Sequence, residues 1–341
     1  MKFIPPKHFA FCRFYLIFAE KHVIMITIPD FHVLESIVEY MQDVPYDVTP
    51  RSLYNASTLY DQRDADGHLI VDKCYDQRVY KHYINAGKHV CGEQEMLARA
   101  LHDYAMDREL QRYLEAWDKQ RVVGVMGGHQ LLRTDKMYRE IAFLSKELTE
   151  RHSLMVTGGG PGAMEATHFG AWMAGKPNQD LEKALETLAQ APSFKDAGWL
   201  ETSFEVMQSY PQNEFRSLGI PTWLYGHEPS TPFATDIAKY FDNSIREDTI
   251  LTIAFGGVIF TPGSAGTMQE VFQEAVQNHY LSFGFSSPMI FLGRKFWDEE
   301  MPVYPFLEQM MKEGRYKNLQ LTLTDSFHEA VQDLLKFRNN M

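Results

Sequence analysis

The sequence predicts an α/β fold: a doubly wound parallel sheet with helices on both faces, preceded by a mixed α+β extension. Three observations predict it. From Arg121 onward, short β-rich apolar runs alternate with amphipathic stretches, the pattern of strands joined by crossover helices. The runs are continuously apolar rather than alternating, as strands buried on both faces must be. Three of the runs end in glycine-rich turns that lead straight into helical sequence.

The extension, residues 1–118, is poorly patterned. Phe9 to Ala19 is apolar behind Lys2 and Lys7, in the outline of a signal peptide, but Arg13 interrupts it. No clean cleavage site follows, and Met25 is an alternative start. Ser57–Tyr60 and His68–Asp72 read as short strands around a polar turn, Asp61–Gly67. Glu93–Trp117 reads as a helix, with Met96, Leu97, Leu101, Tyr104 and Ala105 near helical spacing.

In the remainder, 119–341, the expected strands are Val122–Met126, Leu154–Val156, Ile220–Tyr225, Gly257–Phe260, Pro288–Leu292 and Leu319–Leu323. Met137, Ile141, Leu144 and Leu148 step by four, three and four, which puts them on one helical stripe. Asp180 to Arg216 reads as an insertion at the sheet edge with one helix, Leu181–Gln190.

Composition narrows the partners. The 341 residues carry a net charge of −12, whereas binding to a nucleic-acid backbone needs a basic face. No run of about 18 uninterrupted apolar residues occurs, so no membrane span is expected. Three scattered cysteines, Cys12, Cys74 and Cys91, form no C-x-x-C pair. They indicate reduced thiols in the cytoplasm rather than a disulfide scaffold. No spacing of His, Cys, Asp or Glu matches a metal site, and no cofactor is expected.

The chemistry is concentrated in three loops. They are Met126-Gly-Gly-His129, Thr157-Gly-Gly-Gly-Pro-Gly-Ala-Met-Glu165 and Thr261-Pro-Gly-Ser-Ala-Gly-Thr-Met-Gln-Glu270. In an open parallel sheet such loops share the carboxyl edge, where ligands bind. Each feeds a helix whose first N–H groups and positive dipole end suit a phosphate. A dinucleotide fingerprint is absent, because Gly-Gly-His after the first strand has no third glycine. A P-loop is absent too, since no Gly-Lys-Ser/Thr follows.

The second and third loops resemble the paired signatures GGGxxGxM and PGGxGTxxE of the Lonely Guy (LOG) family of phosphoribohydrolases. Here they read Gly158-Gly-Gly-Pro-Gly-Ala-Met164 and Pro262-Gly-Ser-Ala-Gly-Thr-Met-Gln-Glu270. The second loop looks closest to the bacterial nucleotide 5′-monophosphate nucleosidase branch, and the resemblance runs from Arg121 to Phe337. It implies a Rossmann-like nucleotide-binding domain and a homodimer. It also implies hydrolysis of the N-glycosidic bond of a nucleoside 5′-monophosphate to free base and ribose 5-phosphate. The implied catalytic pair is Arg246 and Glu270. Two positions depart from the pattern: the usual Arg-Lys pair is Arg246-Glu247, and the second glycine of PGG is Ser264.

The remaining candidates follow from loop position. Thr267 and the amides of Gly263, Ser264, Ala265 and Gly266 form the expected phosphate cradle. Gly127, Gly128, Gly158, Gly159, Gly160 and Gly162 would line the nucleoside. Glu165 is placed to bind ribose hydroxyls or to serve as a second carboxylate, or is an acid favoured by the helix dipole. His129 is a candidate contact to base or ribose; the simpler reading is a rim histidine. His227-Glu228 is a base-side contact or a polar turn before Pro229. Glu270 has a bland reading as well, since Thr267-x-x-Glu270 matches a capping box, and Arg246 has one as a solvated helix arginine. A non-catalytic nucleotide-binding or sensing module of the same fold is the alternative function. A DNA-processing protein is disfavoured by the acidic balance.

Overall fold

Val122–Met126 (β1), Leu154–Thr157 (β2) and Pro288–Leu292 (β6) are buried along their whole length, which is why they read as unbroken apolar runs. A computed structural model describes residues 39–340 and, in backbone only, Phe18–Ala19 and His22–Val23. Besides those three strands the sheet holds Ser217–Gly219 (β3), Asp236–Ile237 (β4), Val258–Phe260 (β5) and Gln320–Thr324 (β7). Its order is β4-β3-β2-β1-β5-β6-β7, and every pairing is parallel. Succession reverses between β1 and β5, so their carboxyl ends form the switch-point crevice of a doubly wound α/β sheet.

The helices that matter for the site follow the loops. Lys136–Glu150 (α3) follows β1, and its expected stripe is realised: Ile141, Leu144 and Leu148 are buried and Met137 packs against the same core. Ala163–Trp172 (α4) follows β2, and Ala265–Tyr280 (α8) follows β5. Asn243–Ile253 (α7) carries Arg246. No helix among the described residues is long and apolar enough to cross a membrane.

Four expectations are corrected. The third strand is Ser217–Gly219, not Ile220–Tyr225; Trp223–Tyr225 is a 3-10 turn. Its apolar character serves burial of Trp223 against the extension, where the indole donates to Asp76 Oδ1 at 3.0 Å. Ser57–Tyr60 is a helical turn, Ala56–Leu59, closed by a reciprocal cap between Asn55 and Thr58. His68–Asp72 is not a strand: Leu69 makes an isolated bridge to Arg63, and Val71–Lys73 is a 3-10 turn. The insertion holds two helices, Asn178–Leu188 (α5) and Trp199–Ser209 (α6). Leu181, Leu188 and Val206 sit in the main core beside Phe169. The apolar run Phe9–Ala19, apart from the backbone of its last two residues, lies outside the described residues with Cys12 and Met25.

Residues 1–44 form one compact unit and residues 45–341 another. In the first, Phe18–Ala19 pairs antiparallel with His22–Val23. In the second, residues 45–118 pack into the same body as the sheet. Tyr54 bridges Ile237 of β4 through two backbone hydrogen bonds of 2.9 and 2.7 Å. Asp76, on Tyr75–Asn85 (α1), pairs with Lys239 at 2.6 Å, both side chains 1% exposed.

Asp103, on Glu93–Leu114 (α2), accepts from the backbone N–H groups of Phe241 and Asp242. Asp242 in turn caps α7 by accepting from Ser244 N–H at 2.7 Å. The extension thus fixes the start of the helix that bears Arg246. Asp103→Ala strands the buried N–H of Phe241 and the part-buried N–H of Asp242 and is expected to cost about 2 kcal/mol of stability, read as a lowered urea midpoint.

Candidate functional site

Backbone hydrogen bonds knit the three glycine loops together. Gly128 N–H donates to Pro262 O at 3.1 Å, and Gly128 O accepts from Ala163 N–H at 3.2 Å. The first loop is therefore the bridge between the other two. Gly162, at φ +72°, is where this requires glycine: a side chain there would overlap the Gly128 carbonyl oxygen.

The third loop presents an open helix end. Ser264 is the N-cap of α8 and makes no side-chain cap bond. Among the described residues, no backbone N–H from Gly263 to Thr267 donates to the protein. Ser264, Ala265 and Gly266 are exposed, and Thr267 is buried against Gly263. Unpaired amides at the start of a 16-residue helix offer donors and a positive dipole end to an anion.

Arg246 lies against the second loop. Its Nε donates to Ile220 O at 2.9 Å, just past β3. Its Nη2 occupies the space where a side chain on Gly158 would be, so that position needs glycine for close approach. The outer guanidinium nitrogens donate to no described residue.

Glu270 is half-buried on α8. Because Ser264 is the N-cap, Glu270 lies on the second turn and is not the capping-box acid. It accepts no hydrogen bond from the described residues. Burial pushes its pKa up to about 7; the Arg246 guanidinium pulls the other way and Glu247 adds to the rise. Arg246 is thus close enough to act on Glu270 electrostatically, yet no ion pair joins them.

Glu247 holds the two helices in register. It accepts from Asn243 Nδ2 at 2.7 Å on its own helix and from Gln269 Nε2 at 2.9 Å on α8. Gln273 to Asp248 repeats the link at 2.8 Å. The departure from the Arg-Lys pattern therefore supplies a clamp between the helices of Arg246 and Glu270.

Glu165 is 1% exposed, and Arg133 Nε reaches both of its carboxylate oxygens, at 3.1 and 3.2 Å. Arg133 also donates to Thr202 Oγ1, Ser203 Oγ and the carbonyls of Ala191 and Trp199. This carboxylate is held inside the fold by Arg133. Gly158–Gly162 are buried, while Gly127, Gly128 and His129 are half-exposed at the mouth. His129 Nδ1 lies 3.6 Å from Glu228 Oε1, and His227, largely exposed, lies beyond it.

Sequence reasoning missed His168. It is fully buried on α4, and burial pushes its pKa down to about 3, so it is neutral. Its ring joins Thr157 Oγ1 at 2.7 Å to Ser217 Oγ at 2.9 Å. Thr157 Oγ1 also accepts from Gly159 N–H at 2.9 Å. The relay ties β2, β3 and the second loop. A Thr immediately before the glycines was its only sequence signal.

The described residues hold no cluster of His, Cys, Asp and Glu able to bind a metal ion. Fold and site together define a doubly wound α/β protein with an uncapped helix start in the crevice at its carboxyl edge. No family model matches the sequence, and no curated protein does. Two solved structures it resembles are cofactor proteins. One is the molybdenum cofactor binding protein of the phototrophic bacterium Rippkaea orientalis: 16% identity over 63% of this chain and 96% of that chain, TM-score 0.39. The other is the Moco carrier protein of Chlamydomonas rheinhardtii: 15% identity over 63% of this chain and 97% of that chain, TM-score 0.36.

Proposed function

We propose that the chain hydrolyses the N-glycosidic bond of a nucleoside 5′-monophosphate, releasing free base and ribose 5-phosphate. The observation that carries the reading is that Arg246, whose outer nitrogens donate to no described residue, lies near enough to act electrostatically on Glu270, which is raised in pKa and accepts no hydrogen bond from the described residues. Beside them the uncapped start of α8 offers the phosphate its donors.

In this reading the phosphate lies on the amides of Gly263 to Thr267, and the ribose lies between Arg246 and Glu270. As the C1′–N bond breaks, positive charge grows on the ribose, and the Glu270 carboxylate stabilises it. Glu270 takes a proton from the attacking water, whose oxygen bonds to C1′. The leaving base nitrogen receives a proton in turn. A pKa near 7 suits a group that must accept and return a proton at neutral pH. Arg246 orients the ribose phosphate with its forked donors.

The test is incubation of the protein with AMP, GMP, CMP and UMP. Equal amounts of base and ribose 5-phosphate are expected. A nucleotide bound but recovered intact favours the sensing module, the reading supported by the negative charge of Glu247 beside the site. Arg246→Ala is expected to lower kcat/KM about 10- to 100-fold through loss of charged hydrogen bonds, with little change in thermal stability.

A further inference from the structure

Resting on the nucleotide-cleft reading, we infer that Glu228 selects the ligand by its base edge. The selected class is a phosphate-bearing ring that presents an N–H and an amino group side by side. The loops place Glu228 in the crevice. Its carboxylate overhangs the second loop and lies beside His129 of the first, whose neighbour Gly128 donates to Pro262 O of the third. With the phosphate on the open amides of α8, the base lies over the first and second loops, toward Glu228.

Glu228 is built to meet it. Its backbone is set by the turn Trp223–Tyr225, through Glu228 N–H to Tyr225 O at 2.8 Å. Its side chain is 17% exposed. Oε2 lies 3.8 Å from where a side chain on Gly160 would begin, so the carboxylate overhangs the second loop. Oε1 lies 3.6 Å from His129 Nδ1 and 3.8 Å from His227 Nε2, beyond hydrogen-bond length. No hydrogen bond from the described residues occupies the carboxylate. The His129 ring, edge-on to Phe194 with centroids 6.1 Å apart, forms one wall of the same mouth.

A carboxylate only accepts, and its two oxygens suit two parallel donors. Guanine offers them, as N1–H beside the 2-amino group. Adenine and cytosine set an amino donor beside a ring acceptor, which would face a carboxylate lone pair. Uracil has one N–H between two carbonyls, and hypoxanthine lacks the amino group. Pterins carry the same donor edge as guanine, so the shared chemistry is the vicinal N–H and NH₂ pair.

The experiment compares the full chain with Glu228→Gln by calorimetric titration of GMP, IMP, AMP and a pterin monophosphate, alongside base release from the nucleotides. GMP and IMP differ only in the 2-amino group. GMP is expected to bind the wild type about 10- to 100-fold more tightly than IMP. Glu228→Gln, which puts an amide donor against a ring donor of guanine, should bring the two near parity and tighten AMP, whose amino donor and ring acceptor match the amide. A pterin monophosphate that binds more tightly than GMP, with the same dependence on Glu228, keeps the edge recognition and assigns the ring. Equal wild-type affinity for GMP and IMP overturns the inference, as does a gap that survives in Glu228→Gln. Should the variant not fold, the wild-type ratio of GMP to IMP decides. Release of all bases at equal kcat/KM sinks this inference and leaves hydrolysis standing. A Glu228-dependent GMP preference without base release does the reverse.

Discussion

Glu270→Gln is expected to lose base release by a hundredfold or more while folding normally. A group that stabilises developing transition-state charge is worth about 2.7–4 kcal/mol of barrier, and the amide can neither carry the charge nor accept the proton. A helix cap contributes only about 1 kcal/mol, and to stability rather than rate. With the cap assigned to Ser264, a cap effect is not expected at all.

The pH profile should agree. Glu270 acts as the carboxylate, so kcat/KM should rise with pH through its pKa of about 7 and flatten above it. The same shift has a stability sign. In the unfolded chain this carboxyl has its ordinary value of 4.5, so between there and about 7 the folded state binds more protons. Stability contributed by the neutral carboxyl is present below pH 4.5 and lost as pH rises through 7. Above pH 7 the Gln variant should therefore be the more stable protein, by up to about 3 kcal/mol, as melting curves at pH 5 and 8 would read. Glu274, also raised to about 7 by burial, is unchanged in both proteins and cancels in the difference.

Arg133→Ala should cost the fold about 3–5 kcal/mol, because it leaves the Glu165 charge buried without its partner. Thr202, Ser203 and two carbonyls lose their donor as well. The double variant Arg133→Met, Glu165→Leu removes both charges and should recover most of that stability. It also separates the two readings of Glu165. Retained base release means that the carboxylate only braces the start of α4. Loss of activity in a folded double variant means that it meets the ribose after all.

The legible parts of the fold are those where one physical pattern dominates. Val122–Met126 and Pro288–Leu292 are read to the residue because burial on both faces demands unbroken apolar sequence. Asp236–Ile237 was invisible: two residues, one of them acidic, carry no period, and the strand exists because Tyr54 and β3 flank it. Ile220–Tyr225 misled because its apolar residues answer to the extension rather than to a sheet neighbour. Ser57–Tyr60 misled although its cap was readable, with Asn55 and Thr58 at capping spacing.

At the site, the glycines, Arg246 and Glu270 were legible because short-range motifs carry them. Arg133 with Glu165 and His168 with Ser217 were not, since their partners lie 32 and 49 residues apart and nothing local marks them. Glu247 looked like a lost cation. Only the neighbouring helix shows it to be one half of a clamp.

Hydrolysis at this site requires one crevice to hold phosphate and ribose at once. The most direct measurement is a crystal structure of the Glu270→Gln protein grown with a nucleoside monophosphate. The expected result is an uncleaved nucleotide with phosphate oxygens on the amides of Gly263 to Thr267 and C1′ between Arg246 and residue 270. A phosphate bound elsewhere, or a ribose out of reach of both side chains, would contradict it.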